Sequence, residues 1–280
     1  MRFVGAFPLA LLSGVAHAAW NALAKTPGKE RAATLAALIL SGVSALAWWL
    51  ITGATGLPLS SLPWLVLAGL GETLYVYSLG MAYARGDLAL TYTVSRASAL
   101  VFIWPLSALA FHTTPSLLAL AATALVALGI LLTKPAGGAA TFHLGWTLST
   151  GAAVAAYHTG YKGAVDGGTA RVLAFIGAVS ISIPLLVAIV GRDVRGQLPG
   201  VLVRPRLLLA GVLCAASFLL MLEALATSES GRILGVRNAS VGFGLLFALL
   251  QGERLGRRQW LGLLVLFLGI ALFGVEQSAR

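Results

Sequence analysis

Long apolar runs separated by short polar connections dominate the pattern of this chain. The runs are roughly 18–24 residues long, which is enough for an α-helix to cross a hydrocarbon core about 30 Å thick. Glycine, proline and charged residues mark where each run begins and ends. We therefore predict an all-α integral membrane protein with ten transmembrane helices, at residues 4–24, 33–53, 63–83, 89–111, 116–133, 144–162, 171–191, 206–226, 231–250 and 259–275.

A segment near the N-terminus recurs in the second half of the chain. Residues 13–25 align with residues 150–162, with five identical positions among thirteen. Both copies place polar side chains inside apolar helical runs. Internal duplication combined with intramembrane polar residues is typical of small-molecule transporters.

Further matches extend the duplication along the chain. Residues 63–69 resemble residues 205–211, and Ala97-Ser98 aligns with Ala239-Ser240 at the same offset of 142. The Pro-Ala-Gly-Gly stretch at 135–138 is predicted to be the hinge. Because each half holds an odd number of spans, the second half enters the membrane upside down. We predict two inverted five-helix repeats, at residues 1–137 and 138–280.

Composition and charge agree with this class of protein. Hydrophobic residues make up 59% of the chain, charged residues 10%, and the mean hydropathy is +0.92. A soluble domain of this length needs more charge to cover its surface. Lys and Arg concentrate at the ends of apolar runs, where they face lipid head groups, so the net charge of +10 does not indicate a nucleic-acid partner. The single cysteine, Cys214, excludes an intrachain disulfide.

The N-terminal residues resemble a secretory signal. Arg2 is basic, residues 3–15 are apolar, and residues 16–18 fit a small-residue cleavage site. The apolar run nevertheless continues to Lys25 and forms the first copy of the duplicated segment. We therefore expect that this segment is retained as a transmembrane helix.

Several motifs resemble the drug/metabolite transporter superfamily, EamA type. They are residues 17–25 on the first span, Ala-Arg-Gly-Asp at 84–87, Gly-Glu-Arg-Leu at 252–255 and Gln-Trp-Leu-Gly at 259–262. The resemblance covers essentially the whole chain. It implies a ten-helix transporter with a central cavity between spans 3, 4, 8 and 9. It also implies that both termini lie in the cytoplasm.

The distribution of positive charge favours the opposite orientation. The loops after spans 1, 3, 5, 7 and 9 carry twelve Lys and Arg residues, whereas the side with the termini carries five. Because cytoplasmic loops are enriched in Lys and Arg, the charge count places both termini outside the cytoplasm. Both orientations are kept as alternatives.

Charged residues within the spans are the first candidates for function, because each costs about 2.5–3.5 kcal/mol at membrane depth unless it has a partner or a water-filled cavity. Arg96 and Arg237 occupy nearly matching places in spans 4 and 9, and Glu72 lies midway along span 3. One interpretation is structural, with the ion pairs Glu72–Arg96 and Glu223–Arg237 holding helices together. The other is that these side chains line a substrate pathway, where an unpaired Glu72 would carry protons.

Uncharged polar residues follow helical spacing on the duplicated helices. His17 and Asn21 recur at an interval of four residues and share one face of the first helix, and His158 lies in the second copy. Such residues either bond neighbouring helices or line the cavity. Lys25 and Lys162 lie at helix ends, where snorkelling to the interface is expected. The predicted substrate-binding or coupling residues are Glu72, Arg96, Arg237, Asn21, His17, Trp20, Tyr92, Tyr157, His158 and Asn238.

Other chemistries find no support in the sequence. There is no phosphate-binding Walker loop, and the four histidines have no partners at metal-ligand spacing. We therefore predict no catalytic residue, no cofactor and no metal site.

The expected function is secondary transport of a small polar or amphipathic metabolite across the inner cell membrane by alternating access, with proton-coupled export as one mode. Arg96 and Arg237 would attract a carboxylate or phosphate, and Glu72 would couple protons or receive an amine. Because basic groups outnumber acidic ones inside the spans, the cargo is expected to be anionic or zwitterionic. The alternatives are a flippase for a lipid-linked substrate, an intramembrane enzyme acting on such a substrate, and a receptor or assembly partner that does not transport.

Overall fold

Helices form all the regular secondary structure in the computed structural model, which describes residues 5–83, 88–134, 143–250, 252 and 254–278. A short 3-10 turn, Leu59–Ser61, precedes the third helix. The helices are α1 (Ala6–Ala24), α2 (Glu30–Thr52), α3 (Leu62–Tyr83), α4 (Leu88–Phe111), α5 (Leu117–Leu132), α6 (Leu144–Asp166), α7 (Arg171–Ile189), α8 (Arg192–Leu202), α9 (Pro205–Leu225), α10 (Ser230–Arg237), α11 (Ala239–Leu250) and α12 (Arg257–Ser278).

The predicted all-α membrane fold is confirmed, although the count of ten apolar spans is not matched. Within the described residues, eight helical segments are long and apolar enough to cross a membrane. Helix α5 is apolar but only 16 residues long, and the 23-residue α6 is not among the eight. Helix α6 carries many polar residues and is buried along most of its length, which explains its lower hydropathy.

Two further differences from the predicted spans concern the second half. Residues 231–250 form two helices, α10 and α11, which Asn238 separates. An additional amphipathic helix, α8, lies between the seventh and eighth predicted spans and buries Val194, Leu198 and Val201. These three residues follow the spacing of one helical face, and α8 packs on α2 with that face inward.

Packing between helices is reciprocal for the two halves of the chain. Helix α6 packs against α3 and α4. The corresponding helix of the first half, α1, packs against α9, α10 and α11. Helix α2 contacts α9 as α7 contacts α3. The pairs α2–α7 and α5–α12 each join helices that occupy corresponding places in the two halves.

Matched glycines allow two of these close approaches. A Cβ atom on Gly69 of α3 would lie 2.7 Å from the Cβ of Ile181 on α7. A Cβ on Gly211 of α9 would lie 2.4 Å from the Cβ of Leu40 on α2. Both distances are below van der Waals contact, so each helix pair requires glycine at this point. The two contacts are equivalent under the duplication seen in the sequence.

The duplicated helices α1 and α6 end at opposite ends of α9. Arg206, near the start of α9, donates to the carbonyl oxygens of Leu23 and Lys25 at the end of α1, at 2.9 and 3.0 Å. Lys162, near the end of α6, donates to the carbonyl oxygen of Leu225 at the end of α9, at 3.0 Å. Helices α1 and α6 therefore run in opposite directions. The predicted hinge at 135–138 and the repeat boundary at 137 lie outside the described residues.

Candidate functional site

A narrow central cavity, with about 30 Å³ of space that water could enter and with an open mouth, lies among α1, α2, α3, α6 and α9. One of its wall residues, Thr34, is only one turn from the start of α2, so the cavity extends from mid-depth toward that end of the bundle. The residues that line the central cavity are His17, Trp20, Thr34, Leu38, Glu72, Tyr75, Val76, Tyr157, Cys214 and Phe218.

Small residues on α1 bring this helix against the break between α10 and α11. A Cβ on Gly14 would lie 3.0 Å from the carbonyl oxygen of Arg237. The neighbouring Ser13 hydroxyl donates to the carbonyl oxygen of Ser217 on α9 at 2.7 Å, and the Ser217 hydroxyl donates to the carbonyl oxygen of Ser13 at 2.9 Å. This reciprocal pair holds α1 against α9 and places His17 beside the Arg237 side chain.

The Arg237 guanidinium is fully buried, with 2% of the residue exposed. Its Nε donates to Ser13 Oγ at 3.0 Å and its Nη2 to Ser217 Oγ at 3.2 Å. Its Nη1 donates to Tyr157 Oη at 3.3 Å. The guanidinium also lies over the Phe218 ring, with 5.1 Å between the guanidinium carbon and the ring centroid.

All of these Arg237 partners are neutral. Within the part of the chain that the structure describes, Arg237 forms no ion pair. A buried cation that only neutral groups stabilise has lost hydration without gaining a counter-charge. The arrangement therefore leaves a positive potential beside the central cavity.

The second guanidinium, Arg96, approaches His17 from the other side. Its Nη2 lies 2.8 Å from His17 Nε2 and 3.4 Å from Tyr75 Oη. The Arg96 guanidinium also lies over the Tyr92 ring at 5.2 Å. Arg96 and Arg237, predicted from different spans, thus meet on the two nitrogens of one imidazole, since Arg237 Nη2 lies 3.2 Å from His17 Nδ1.

Glu72 also lines the cavity and is 2% exposed, and its oxygens accept from Tyr161 Oη at 2.5 Å and Ser182 Oγ at 3.2 Å. Neither of the ion pairs considered from the sequence is present among the described residues. Glu223 instead pairs with Arg171 at 3.4 Å, and both of these side chains are exposed. Those pairs were inferred from the reach of long side chains between neighbouring helices. Side-chain reach does not determine which face of each helix points inward, so the inferred pairs are wrong.

The remaining predicted residues divide between the cavity and its surroundings. Trp20 lines the cavity, and buried His158 has its Nε2 3.5 Å from Arg237 Nη1. Tyr92 lies outside the lining and contacts Arg96. Asn21 is exposed and donates to the carbonyl oxygen of His17 in its own helix at 2.7 Å. Asn238 is buried at the helix break, where its amide donates to Leu234 O at 3.0 Å.

Sequence reasoning missed the hydroxyl groups that complete the site. Ser13, Ser217 and Ser182 lie within apolar runs, where a serine usually bonds the backbone of its own helix and gives no signal. Tyr161 had one signal, because it belongs to the duplicated segment at residues 150–162. Its contact with Glu72 depends on how α3 and α6 pack.

The second half of the chain matches a known protein family, and the fold matches a solved structure. Residues 141–275 match the family model of the EamA-like transporter family. No curated protein matches the sequence. A crystal structure of another protein, 12% identical, covers 95% of this chain and 94% of its own with a TM-score of 0.73, and at that identity the likeness shows the fold. Residues 141–275 therefore form an EamA-like transporter domain of the drug/metabolite transporter superfamily, and the apolar helices make the chain a multi-pass membrane protein.

Proposed function

We propose that the protein is a secondary transporter that carries a small anionic or zwitterionic metabolite across the inner cell membrane. The observation that supports this most is the Arg237 guanidinium, which is buried beside the central cavity among neutral partners. A carboxylate or phosphate that enters the cavity would supply the counter-charge. Guanidinium groups match both anions in geometry and bind them with charge-assisted hydrogen bonds.

Alternating access would arise from rocking of the two predicted repeats around the cavity. The reciprocal packing of α3 on α6 and α9 on α1 supports two equivalent halves. The opposite directions of α1 and α6 support their inverted arrangement. Each half contributes one of the arginines at His17, Arg96 from the first and Arg237 from the second, so the ligand would bind where the halves meet.

Glu72 would serve as the coupling group or as the acceptor for a substrate amine. It faces the same cavity as His17, and the hydrogen bonds it accepts come from the neutral groups Tyr161 and Ser182. A carboxyl group without an ionic partner at membrane depth is suited to carrying a proton. The cavity would therefore offer a cationic wall for the anion and an acidic wall for a proton or an amine.

The experiment is uptake by the full-length protein in proteoliposomes, with and without a pH gradient. The panel contains phosphate, succinate, glutamate, the neutral succinamide and a small cation, choline. We expect saturable uptake of at least one anion or zwitterion and none of choline. Uptake that favours choline or succinamide over every anion would contradict the proposal.

A fluorescent phospholipid in the same vesicles provides the control for lipid flipping. Protein-dependent flipping without uptake of any soluble solute would replace our proposal with the flippase alternative.

The orientation of the termini is tested by fusing a compartment reporter to the C-terminus. A non-cytoplasmic signal would agree with the positive-charge count, in which case the cavity end near Thr34 faces the cytoplasm. A cytoplasmic signal would agree with the family resemblance and would reverse the direction in which the cavity faces.

A further inference from the structure

Three N–H donors face the two ring nitrogens of His17. On one side, Arg96 Nη2 lies 2.8 Å from Nε2. On the other side, Trp20 Nε1 and Arg237 Nη2 each lie 3.2 Å from Nδ1. All of these residues are buried, so water does not freely replace a missing acceptor.

A neutral imidazole has one lone pair and one N–H, so it accepts a hydrogen bond at only one of its two nitrogens. In either tautomer, donors on one side of His17 meet an N–H group instead of a lone pair. A protonated imidazole would accept at neither nitrogen and would add a third positive charge. The cluster therefore holds more donors than acceptors, whichever way the ring is protonated.

The distances indicate which side lacks the acceptor. The 2.8 Å contact is the shorter one, and it places the lone pair on Nε2, facing Arg96. The proton then lies on Nδ1, as the hydrogen bond at one ring nitrogen determines the state of the other. His17 Nδ1–H, Trp20 Nε1–H and Arg237 Nη2–H are then three neighbouring donors without a common acceptor.

We propose that these three donors form an oxyanion subsite at the wall of the central cavity where His17 and Trp20 are exposed to it. One oxygen of a carboxylate or phosphate would accept from all three. Arg237 supplies the positive charge, and Trp20 and His17 supply neutral donors. Arg96 is a positioning residue, because it acts through Nε2 to hold the His17 ring in the donating tautomer. This inference rests on the proposed function and assigns the part of the substrate that each residue recognises.

The test is thermal unfolding of the purified full-length protein in detergent, with phosphate or succinate as the probe and chloride added to keep the ionic strength constant. A ligand that binds the folded state raises the unfolding temperature. We expect phosphate or succinate to stabilise the wild type and succinamide not to do so.

Trp20→Phe keeps an aromatic ring and removes only the N–H donor, so we expect about fivefold weaker binding. His17→Ala and Arg237→Gln should each weaken binding by about tenfold or more. Ser44→Ala is the matched control, because the Ser44 hydroxyl bonds the Leu40 carbonyl of its own helix and lies outside the cavity lining. It should bind the probe as the wild type does. Trp20→Phe keeps the proposal falsifiable if the larger changes impair folding.

The positioning role of Arg96 is tested by measuring the tautomer of the His17 ring. In protein labelled with ¹⁵N-histidine, with His17→Ala used for assignment, His17 should carry its proton on Nδ1. Arg96→Gln should shift the tautomer and weaken probe binding together. A His17 ring that stays on the same tautomer in Arg96→Gln would overturn the positioning role.

The subsite is overturned if neither probe stabilises the wild type, or if Trp20→Phe and His17→Ala bind as tightly as the wild type. The latter result combined with anion uptake in proteoliposomes would remove the subsite and leave the proposed transport standing. Binding that depends on all three donors, without uptake of any anion, would support the subsite and contradict the transport proposal.

Discussion

Two arginines on the short helix α10 are both buried but differ in their partners. Arg232 pairs with Glu276 at 2.9 Å and with Glu229 at 3.3 Å. Arg237, five residues later, bonds the neutral groups of Ser13, Ser217 and Tyr157. A buried arginine with carboxylate partners has a structural role, because the protein itself neutralises its charge. A buried arginine beside a cavity with neutral partners indicates that the counter-charge comes from a ligand.

The position of the two clusters reinforces this contrast. The Ser116 hydroxyl at the start of α5 donates to Glu276 near the end of α12, and Arg232 joins this pair from α10. The Arg232 cluster therefore ties three helices together at one end of the bundle. Arg237 lies further along α10, next to the central cavity. The same short helix is held by ion pairs at its start and carries a buried arginine with neutral partners at its end.

Breaking the Arg232 cluster should have the largest effect on stability. Glu276→Gln leaves the Arg232 guanidinium with less counter-charge, and removing one partner of a buried ion pair costs about 3–5 kcal/mol. The measurement is thermal or denaturant unfolding in detergent. The double variant Arg232→Met/Glu276→Leu should recover most of the loss, since it removes both charges. Equal stability of Glu276→Gln and the wild type would show that the two arginines do not differ in this way.

Removing a neutral partner of Arg237 should lower the free energy of unfolding by less than Glu276→Gln does. The Ser217 hydroxyl accepts from Arg237 and donates to the Ser13 carbonyl, so Ser217→Ala is expected to lose about 1.5–3 kcal/mol. Unfolding under the same conditions measures it, with Ser44→Ala as the control because the Ser44 hydroxyl bonds only the Leu40 carbonyl of its own helix. A Ser217→Ala variant no less stable than Ser44→Ala would mean that the neutral groups do not stabilise the guanidinium.

Glu72→Gln should change coupling more than folding. Glutamine can still accept from Tyr161 but cannot carry a proton, so any stimulation of uptake by a pH gradient should fall to the level without a gradient. Proteoliposome uptake at both conditions measures this difference, which we expect to be a few-fold. Stimulation that persists in Glu72→Gln would assign the coupling to another group.

The smallest effect on stability is expected for an ion pair at the surface. Arg171 and Glu223 form an ion pair at 3.4 Å with side chains 43% and 52% exposed. Exposed pairs of this kind contribute about 0–1 kcal/mol, so Arg171→Gln should unfold nearly as the wild type does. A loss as large as that of Glu276→Gln would mean that burial does not explain the comparison.

The sequence predicted most of the fold because apolar runs of membrane-spanning length are an unambiguous signal. The sequence could not show that α6 is buried among other helices. Because α6 carries many polar residues, its hydropathy is that of a marginal span. Sequence reasoning also missed the break at Asn238 and the added helix α8, which depend on local packing.

The candidate site was predicted in part, through the cost of intramembrane polarity. That cost pointed to Glu72, Arg96 and Arg237, and the structure places all three around His17 and the central cavity. Helical spacing alone grouped Asn21 with His17, whereas Asn21 is exposed. Important partners of these charges could not be read from the sequence, because Tyr161 lies 89 residues from Glu72 and Ser13 lies 224 residues from Arg237 along the chain.

The most direct measurement is uptake of the best anionic substrate by Arg237→Gln, with unfolding in detergent as the check on folding. Truncating a buried charge that contacts its ligand costs about 2–5 kcal/mol, so we predict at least about thirtyfold slower uptake at low substrate concentration. The variant loses the hydrogen bonds to Ser13, Ser217 and Tyr157 but also a buried charge without an ionic partner, so unfolding shows whether it remains folded. Uptake at the wild-type rate by a folded Arg237→Gln protein would contradict the assignment of Arg237 to the substrate.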